Sequence, residues 1–286
     1  MIDLNEHFAA LAPSYDVVLS DVWGVMHNGA VATPEAGDAL TRYRAAGGVV
    51  VFITNAPRPG QNVIRQLDHL GVLREAYDGI VSSGDVTRGV IAQRPGQTVC
   101  HIGPARNLAI FKDVDVAFAP VETADYVICS GLVDDATETP EDYRELLGVI
   151  RKRNLFMVCA NPDVVVEVGD KLLYCAGAVA DLYGSMGGEV LYAGKPYAPI
   201  YQQALGLAER ARGKPTPPAR VLAIGDSVRT DLKGAAAFGI DCLFVTAGIH
   251  AEEFGERHAP DPKAVARVFE GAGVAAPKAV TQTLRW

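Results

Sequence analysis

Tyr15-Asp16-Val17-Val18-Leu19-Ser20-Asp21-Val22-Trp23-Gly24-Val25 is the stretch whose reading decides the fold. Tyr15 to Ser20 has the apolar, β-branched character of a strand, and it stops at a carboxylate, Asp21. Downstream, Thr33-Pro34-Glu35 opens a helix, with Thr33 as N-cap and proline at the first helical position. A second strand, Val49-Val50-Val51-Phe52-Ile53, ends at Thr54-Asn55, and a helix then runs from about Gly60 to Leu70. Near the other end, Arg220-Val221-Leu222-Ala223-Ile224 is a strand ending at Gly225-Asp226. A helix through Leu232-Lys233-Gly234-Ala235 follows, and then the strand Cys242-Leu243-Phe244-Val245. Strands alternating with helices over this length give a parallel sheet with crossover helices, so the fold class is α/β.

Between about Ser83 and Gly188 lies another set of strand-like runs, Thr98 to Ile102, Tyr126 to Ser130 and Leu155 to Cys159, with helical segments between them. This stretch is long enough to be a domain of its own inserted into the first. The expected division is therefore residues 1–82 and 189–286 for a parallel-sheet core and 83–188 for an inserted α/β domain. Lys214-Pro215-Thr216-Pro217-Pro218 reads as a rigid linker before a core strand, and the last 25 or so residues as one helix and a surface tail.

Composition narrows the possible partners. A chain of 286 residues with 49% hydrophobic and 21% charged positions buries a substantial core. Its net charge of −8 argues against a nucleic-acid partner, and Arg151-Lys152-Arg153 reads as the solvated end of a helix. Cys100, Cys129, Cys159, Cys175 and Cys242 lie mostly in apolar runs without metal-ligand spacing, as reduced core residues do. Met1 to Glu6 has no basic region leading into an apolar stretch, and no apolar run of about 18 residues occurs; a cytoplasmic protein without a membrane partner is expected.

Three polar clusters fall at the carboxyl ends of three expected core strands, where open parallel sheets bind ligands: Asp21, Thr54-Asn55 and Gly225-Asp226-Ser227. A carboxylate just past a strand also serves as a turn or helix cap, but the joint pattern suits phosphoryl transfer. There a carboxylate nucleophile attacks phosphorus, a divalent cation offsets charge, and donors hold the equatorial oxygens. Asp21 and Asp226 offer hard oxygen ligands for Mg²⁺, Thr54 a hydroxyl, and Lys195 in Gly194-Lys195-Pro196 a positive charge.

Asp21-Val22-Trp23-Gly24-Val25, Ile53-Thr54-Asn55, Gly194-Lys195-Pro196 and Gly225-Asp226-Ser227-Val228-Arg229-Thr230-Asp231 resemble the four ordered motifs of the haloacid dehalogenase-like superfamily. The insertion between the second and third motifs, with Asn161-Pro162-Asp163, is similar to the branch containing p-nitrophenyl, pyridoxal-phosphate and bacterial nucleotide or sugar phosphatases. The resemblance implies a Rossmann-like core with an α/β cap, acting on a small phosphorylated substrate, with homodimers common. It makes Asp21 the nucleophile, and it gives Mg²⁺ the ligands Asp21, Asp226 and the backbone carbonyl of Trp23. Thr54 would bond the transferring phosphate, and Asn55 and Lys195 would contact substrate, Lys195 also neutralising Asp21. Asp231 would position Lys195 or a metal-bound water, a role that competes with that of a helix-dipole carboxylate.

The sequence departs from that pattern at one place. Most phosphatases of the superfamily carry an acid/base Asp two positions after the nucleophile, and here Trp23 stands there. General acid/base assistance contributes roughly 10² to 10⁴ in rate. His27, on the same loop, is a candidate proton shuttle or a packing residue. Two other readings remain: a metal- and phosphate-binding regulatory protein with weak turnover, and a dehalogenase, since haloacid dehalogenases also place an aromatic here but lack the carboxylate at Asp226. Phosphonate hydrolases need a cap lysine, for which Lys171 is available. Arg58 could meet an anionic substrate edge or simply face solvent. Asn161 and Asp163 could face the site or form a turn, and Arg229 could pair with a carboxylate.

Overall fold

The computed structural model describes residues 7–168, 171–256 and 259–286; the amino-terminal hexapeptide read above, and Gly169-Asp170 beside Lys171, lie outside the described residues. Two compact units emerge, one of Met1–Thr54, Val63–Val81 and Pro196–Trp286, the other of Asn55–Asn62 and Ser82–Lys195. In chain order the strands are β1 (Val17–Ser20), β2 (Val49–Thr54), β3 (Gly79–Ser82), β4 (Thr98–Ile102), β5 (Ala117–Phe118), β6 (Tyr126–Cys129), β7 (Met157–Cys159), β8 (Val165–Val168), β9 (Lys171–Tyr174) and β10 (Val190–Tyr192). There follow β11 (Val221–Gly225), β12 (Asp241–Val245), β13 (Gly255–Glu256), β14 (Ala259–Pro260) and β15 (Ala279–Thr281).

The first unit is built on a six-stranded sheet in the order β15-β12-β11-β1-β2-β3. β1 pairs in parallel with both β2 and β11, and β11 with β12. Every residue of β1, β2 and β11 is buried, so these strands read as continuous apolar runs rather than alternating ones. Strand order reverses between β1 and β11, and the fold is a Rossmann-like parallel sheet of the doubly wound kind. Helices Pro34–Ala45 and Ala198–Arg212 belong to this unit, the second ending at Gly213 in the left-handed conformation that closes many helices.

The carboxyl-terminal tail expected from the sequence is instead part of this sheet. After the helix Pro262–Gly271, β15 adds to the edge of β12 in parallel, pairing Phe244 with Val280, and Val280, Thr281 and Leu284 are buried. The Phe8 N–H then donates to Arg285 O at 3.0 Å. A strand of three residues is too short for any period-two signal, and the open edge of β12, not its own pattern, makes it a strand.

The second unit carries its own five-stranded sheet, order β10-β7-β6-β4-β5, parallel at every pairing. Tyr143, Leu147 and Ile150 pack with Val179 and Tyr183 against Val127, Cys129, Met157 and Cys159. The sequence division ended the insertion at residue 188, yet β10 hydrogen-bonds to β7 with Val190 opposite Met157, so the compact unit runs on through Lys195. All five cysteines are in the reduced state; burial pushes the Cys129 thiol up to about 12, as expected of an inert core residue. Among the described residues, no helix is long and apolar enough to cross a membrane.

Candidate active site

The carboxyl ends of β1 and β11 are neighbours at the point where strand order reverses, and each delivers a carboxylate. The Asp21 N–H donates to Ile224 O at 2.7 Å, which continues the β1–β11 ladder one residue beyond the strand and fixes the Asp21 backbone. Asp21 Oδ1 accepts from the Val22 N–H at 2.7 Å, and the residue is 7% exposed. Asp226, 3% exposed, follows β11 directly, and its Oδ2 accepts from the Ile249 N–H at 2.7 Å.

Two glycines make room for the Asp226 carboxylate. A Cβ on Gly24 would sit 2.1 Å from Asp226 Oδ2, and one on Gly248 only 1.8 Å away. Gly24 also has φ +84°, a conformation that residues with a side chain rarely adopt. The loop from residue 22 to 33 is therefore held against the carboxylate by backbone contact.

Asp231 owes its place to a widened helical turn. The N–H groups of Asp231 and Leu232 both donate to Ser227 O, at 2.9 and 3.1 Å, and Asp231 Oδ2 accepts from the Ser227 N–H at 3.1 Å. Such turns recur at functional sites because they re-aim one side chain without ending the helix. Asp231 is 1% exposed, unlike a solvated helix-dipole carboxylate.

Ligand oxygens of Asp21, Asp226 and Asp231 all lie within 4.8 Å of one another, and all three residues are buried. At that spacing and an effective dielectric of about 20, two ionised carboxylates repel by roughly 3–4 kcal/mol. A hard divalent cation relieves that repulsion, and an all-oxygen donor set of carboxylates suits Mg²⁺ or Ca²⁺. The residues thus fit a metal centre. The sequence reading gave Asp231 an outer role; the geometry places it level with the other two.

Trp23 and His27 turn inward on their own loop. The indole lies over Gly29, whose Cβ would sit 2.5 Å from its tip, and meets the His27 ring edge-on at 5.1 Å. His27, 2% exposed, accepts the Gly29 N–H on Nδ1 at 2.9 Å. A proton on Nδ1 would end that bond, so this arrangement replaces the proton-shuttle reading of His27 with that of a loop brace. Thr54, also buried, closes β2.

In the second unit, Asn55 grips Lys195. Its Oδ1 accepts the Lys195 N–H at 2.7 Å and the Ser83 hydroxyl at 3.4 Å; its Nδ2 donates to Lys195 O at 3.1 Å and to Asp163 Oδ1 at 2.8 Å. Both donors and both lone pairs of the amide are then used. The substrate-contact reading of the Asn55 side chain therefore gives way to that of a positioning residue for Lys195, which is 2% exposed. Gly194 precedes Lys195 because a Cβ there would come within 2.3 Å of Asn55 Oδ1. Asn161 Oδ1 accepts the Asp163 N–H at 3.1 Å, the turn its sequence suggested. Lys171 and Arg229 are exposed, whereas Arg58 is half-buried. An open cleft of about 430 Å³ on the first unit, lined by Asn28, Val31, Thr33, Glu35, Thr283 and Arg285, shares no residue with the carboxylate cluster.

Sequence reasoning missed Ile249, whose N–H holds Asp226, and Gly248 beside it. They lie more than 20 residues from that aspartate, and a backbone donor leaves no side-chain signature.

Family models described as haloacid dehalogenase-like hydrolase and HAD-hydrolase-like match residues 18–117 and 192–272, which include Asp21, Thr54, Lys195, Asp226 and Asp231. A crystal structure of a haloacid dehalogenase-like hydrolase from Brucella suis superposes with a TM-score of 0.86 at 45% identity, covering 98% of this chain and 100% of that one. The chain belongs to the haloacid dehalogenase-like hydrolase family. Curated relatives of this haloacid dehalogenase-like chain include an acid sugar phosphatase of Staphylococcus saprophyticus, 25% identical over 87% of this chain and 93% of its own length. A D-glycerol 3-phosphate phosphatase of Mycobacterium tuberculosis is 28% identical over 85% of this chain and 66% of its own.

Proposed function

We propose that this haloacid dehalogenase-like hydrolase is a Mg²⁺-dependent phosphatase of small phosphorylated metabolites, such as sugar phosphates or nucleotides, working through an aspartyl-phosphate on Asp21. One observation carries the reading: three buried carboxylates converge within 4.8 Å at the reversal point of the core sheet, the first of them at the nucleophile position. The names of the curated relatives support the phosphomonoester class. A glycerol phosphate phosphatase of M. tuberculosis solved in complex with calcium, 25% identical to this chain, supports a hard divalent ion.

In this reading Asp21, Asp226 and Asp231 would hold the ion, with the Trp23 carbonyl that the family pattern adds. Bound there, the ion would offset negative charge on the phosphoryl group. Asp21 Oδ attacks phosphorus and the ester P–O bond breaks; the departing alkoxide takes up one proton. Water then attacks the phospho-aspartate, giving inorganic phosphate and free Asp21. Thr54 donates a hydrogen bond to the phosphoryl oxygens, and Lys195, held by Asn55, supplies positive charge.

Neither Trp23 nor the braced His27 offers the proton that the leaving alkoxide needs. That favours a second reading, a metal and phosphate binder with slow turnover. Retention of Asp226 and Asp231 beside Asp21 disfavours the metal-free dehalogenase.

Phosphate release from sugar phosphates, nucleotides and p-nitrophenyl phosphate, with and without Mg²⁺, separates these readings. Mg²⁺-dependent release that disappears in Asp21→Asn supports the phosphatase. An inert wild type with activity restored by Trp23→Asp supports the binder, and halide release without metal would overturn both.

A further inference from the structure

The loop after β12 reaches the carboxylate segment at two places, both inside the first unit. The Ile249 N–H holds Asp226 Oδ2 at 2.7 Å. One residue further on, His250 Nε2 accepts the Val228 N–H at 3.2 Å. Val228 opens the widened turn Val228–Leu232, which carries Asp231. N–H groups in the first turn of a helix have no carbonyl behind them within the helix and need a partner from elsewhere. Here the Ser227 N–H finds Asp231 Oδ2 at 3.1 Å and the Thr230 N–H finds Ser227 Oγ at 3.3 Å, both bonds closing within the segment itself. The Val228 bond differs from these two in tying the turn to another part of the chain, 22 residues on.

The imidazole is set up for that one bond. A backbone N–H can only donate, so Nε2 is the unprotonated nitrogen and the ring proton sits on Nδ1. Nδ1 lies 2.6 Å from Glu253 Oε1, an acceptor that matches this tautomer. A tight turn brings Glu253 there: the Ala251 N–H donates to Gly248 O at 3.0 Å, and the N–H groups of Glu253 and Phe254 both donate to His250 O, at 3.0 and 3.2 Å. The ring meets Phe254 at 5.9 Å, and Phe254 is fully buried, edge-on to Phe244 of β12 at 6.1 Å. The His250 side chain is 15% exposed and that of Glu253 58%. The position of the ring is therefore fixed from the core side and its tautomer from the solvent side.

We propose that His250 is a positioning residue for the carboxylate cluster, holding the turn that presents Asp231 beside Asp226 for one divalent ion. The inference rests on the metal centre of the proposed function, and it applies whether that centre turns substrate over or only binds it. Two adjacent residues of one loop grip the segment on either side of Ser227: Ile249 takes the Asp226 carboxylate and His250 the Val228 backbone. With the second grip lost, repulsion among the three buried carboxylates spreads the cluster in the ion-free protein. Closing it again then draws on the binding energy of the ion, which is how loss of preorganisation weakens affinity.

Calorimetric titration of Mg²⁺ into the full-length chain, with thermal melting in a chelator and in excess Mg²⁺, tests this in wild type, His250→Phe, His250→Gln and Glu253→Ala. Phenylalanine keeps the ring packing on Phe254 but offers the Val228 N–H no acceptor, whereas glutamine restores one at a similar reach. Partners that orient metal ligands account for about 10- to 100-fold in affinity, so His250→Phe is expected to weaken Mg²⁺ binding by about 10-fold or more and His250→Gln to recover most of that loss. Glu253→Ala is expected to weaken it by about 3-fold, because the ring is then free to place its proton on Nε2. A His250→Phe protein that melts lower in chelator yet binds Mg²⁺ as wild type does marks a merely structural residue and overturns the proposal, as does a loss that His250→Gln leaves unrecovered. If His250→Phe does not fold, the exposed Glu253→Ala decides: weakened Mg²⁺ binding upholds the positioning role and unchanged affinity overturns it. A wild type that binds no Mg²⁺ overturns the metal reading and this inference together, a result separable from the others because it involves no variant.

Discussion

Replacing Gly248 with alanine puts the new methyl group 1.8 Å from Asp226 Oδ2 and 2.4 Å from its Cγ. Ordinary contact begins at 3.4 Å, so the carboxylate or the loop must give way by about 1.6 Å. Backbone strain plays no part, because Gly248 is not among the glycines with positive φ. The displacement breaks the 2.7 Å bond from the Ile249 N–H to Asp226 Oδ2. A hydrogen bond to a charged group is worth about 1.5–3 kcal/mol, which corresponds to a weakening of divalent-ion binding by about 10- to 10²-fold. Isothermal titration of Mg²⁺ into the purified variant measures this independently of turnover, with circular dichroism melting to confirm that the fold survives. A Gly248→Ala protein that binds Mg²⁺ as wild type does would refute the placement of Asp226 in the metal centre.

Gly89 and Gly148 lie inside the helices Ser83–Ala92 and Arg144–Lys152 with nothing within 4 Å of where an added methyl group would sit, so each Gly→Ala change is expected to raise stability by about 0.5–1 kcal/mol in urea denaturation; a loss at either site contradicts the open surroundings seen there. Burial lowers the His101 pKa from 6.5 to about 4, so between those values the unfolded chain binds the proton more readily than the folded one. Stability from this group is complete above pH 6.5 and is lost as pH falls toward 4; His101→Asn is expected to flatten that stretch of the stability–pH curve, and an unchanged slope would contradict it. The buried Tyr126 hydroxyl has no hydrogen-bond partner among the described residues, so Tyr126→Phe is expected to leave the melting temperature unchanged or raise it; a drop equivalent to more than about 1 kcal/mol would reveal a partner. Asp231→Asn, which keeps shape but removes charge, is expected to weaken Mg²⁺ binding about 10-fold if Asp231 is a ligand, and to leave it unchanged if the residue only braces Ser227.

The sequence by itself determined the parallel core and the polar residues that stand at the carboxyl ends of its strands. Long apolar strands buried on both faces need no partner to be recognised, as the runs Val17 to Ser20 and Val49 to Ile53 show, and a polar residue that ends such a run marks the edge where ligands bind. Asp21, Thr54 and Asp226 were legible for that reason. What tertiary structure alone decided was whatever depends on neighbours distant in the chain. β15 is a strand because β12 has an open edge, and β10 belongs to the second sheet because β7 accepts it. Asp231 joins the carboxylates through a widened turn, Asn55 is spent on Lys195, and His27 on Gly29. Each of these turns on a backbone group whose hydrogen-bonding capacity is the same at every residue, so the letters of the sequence carry no trace of which one will be used; only the packed chain brings donor and acceptor together.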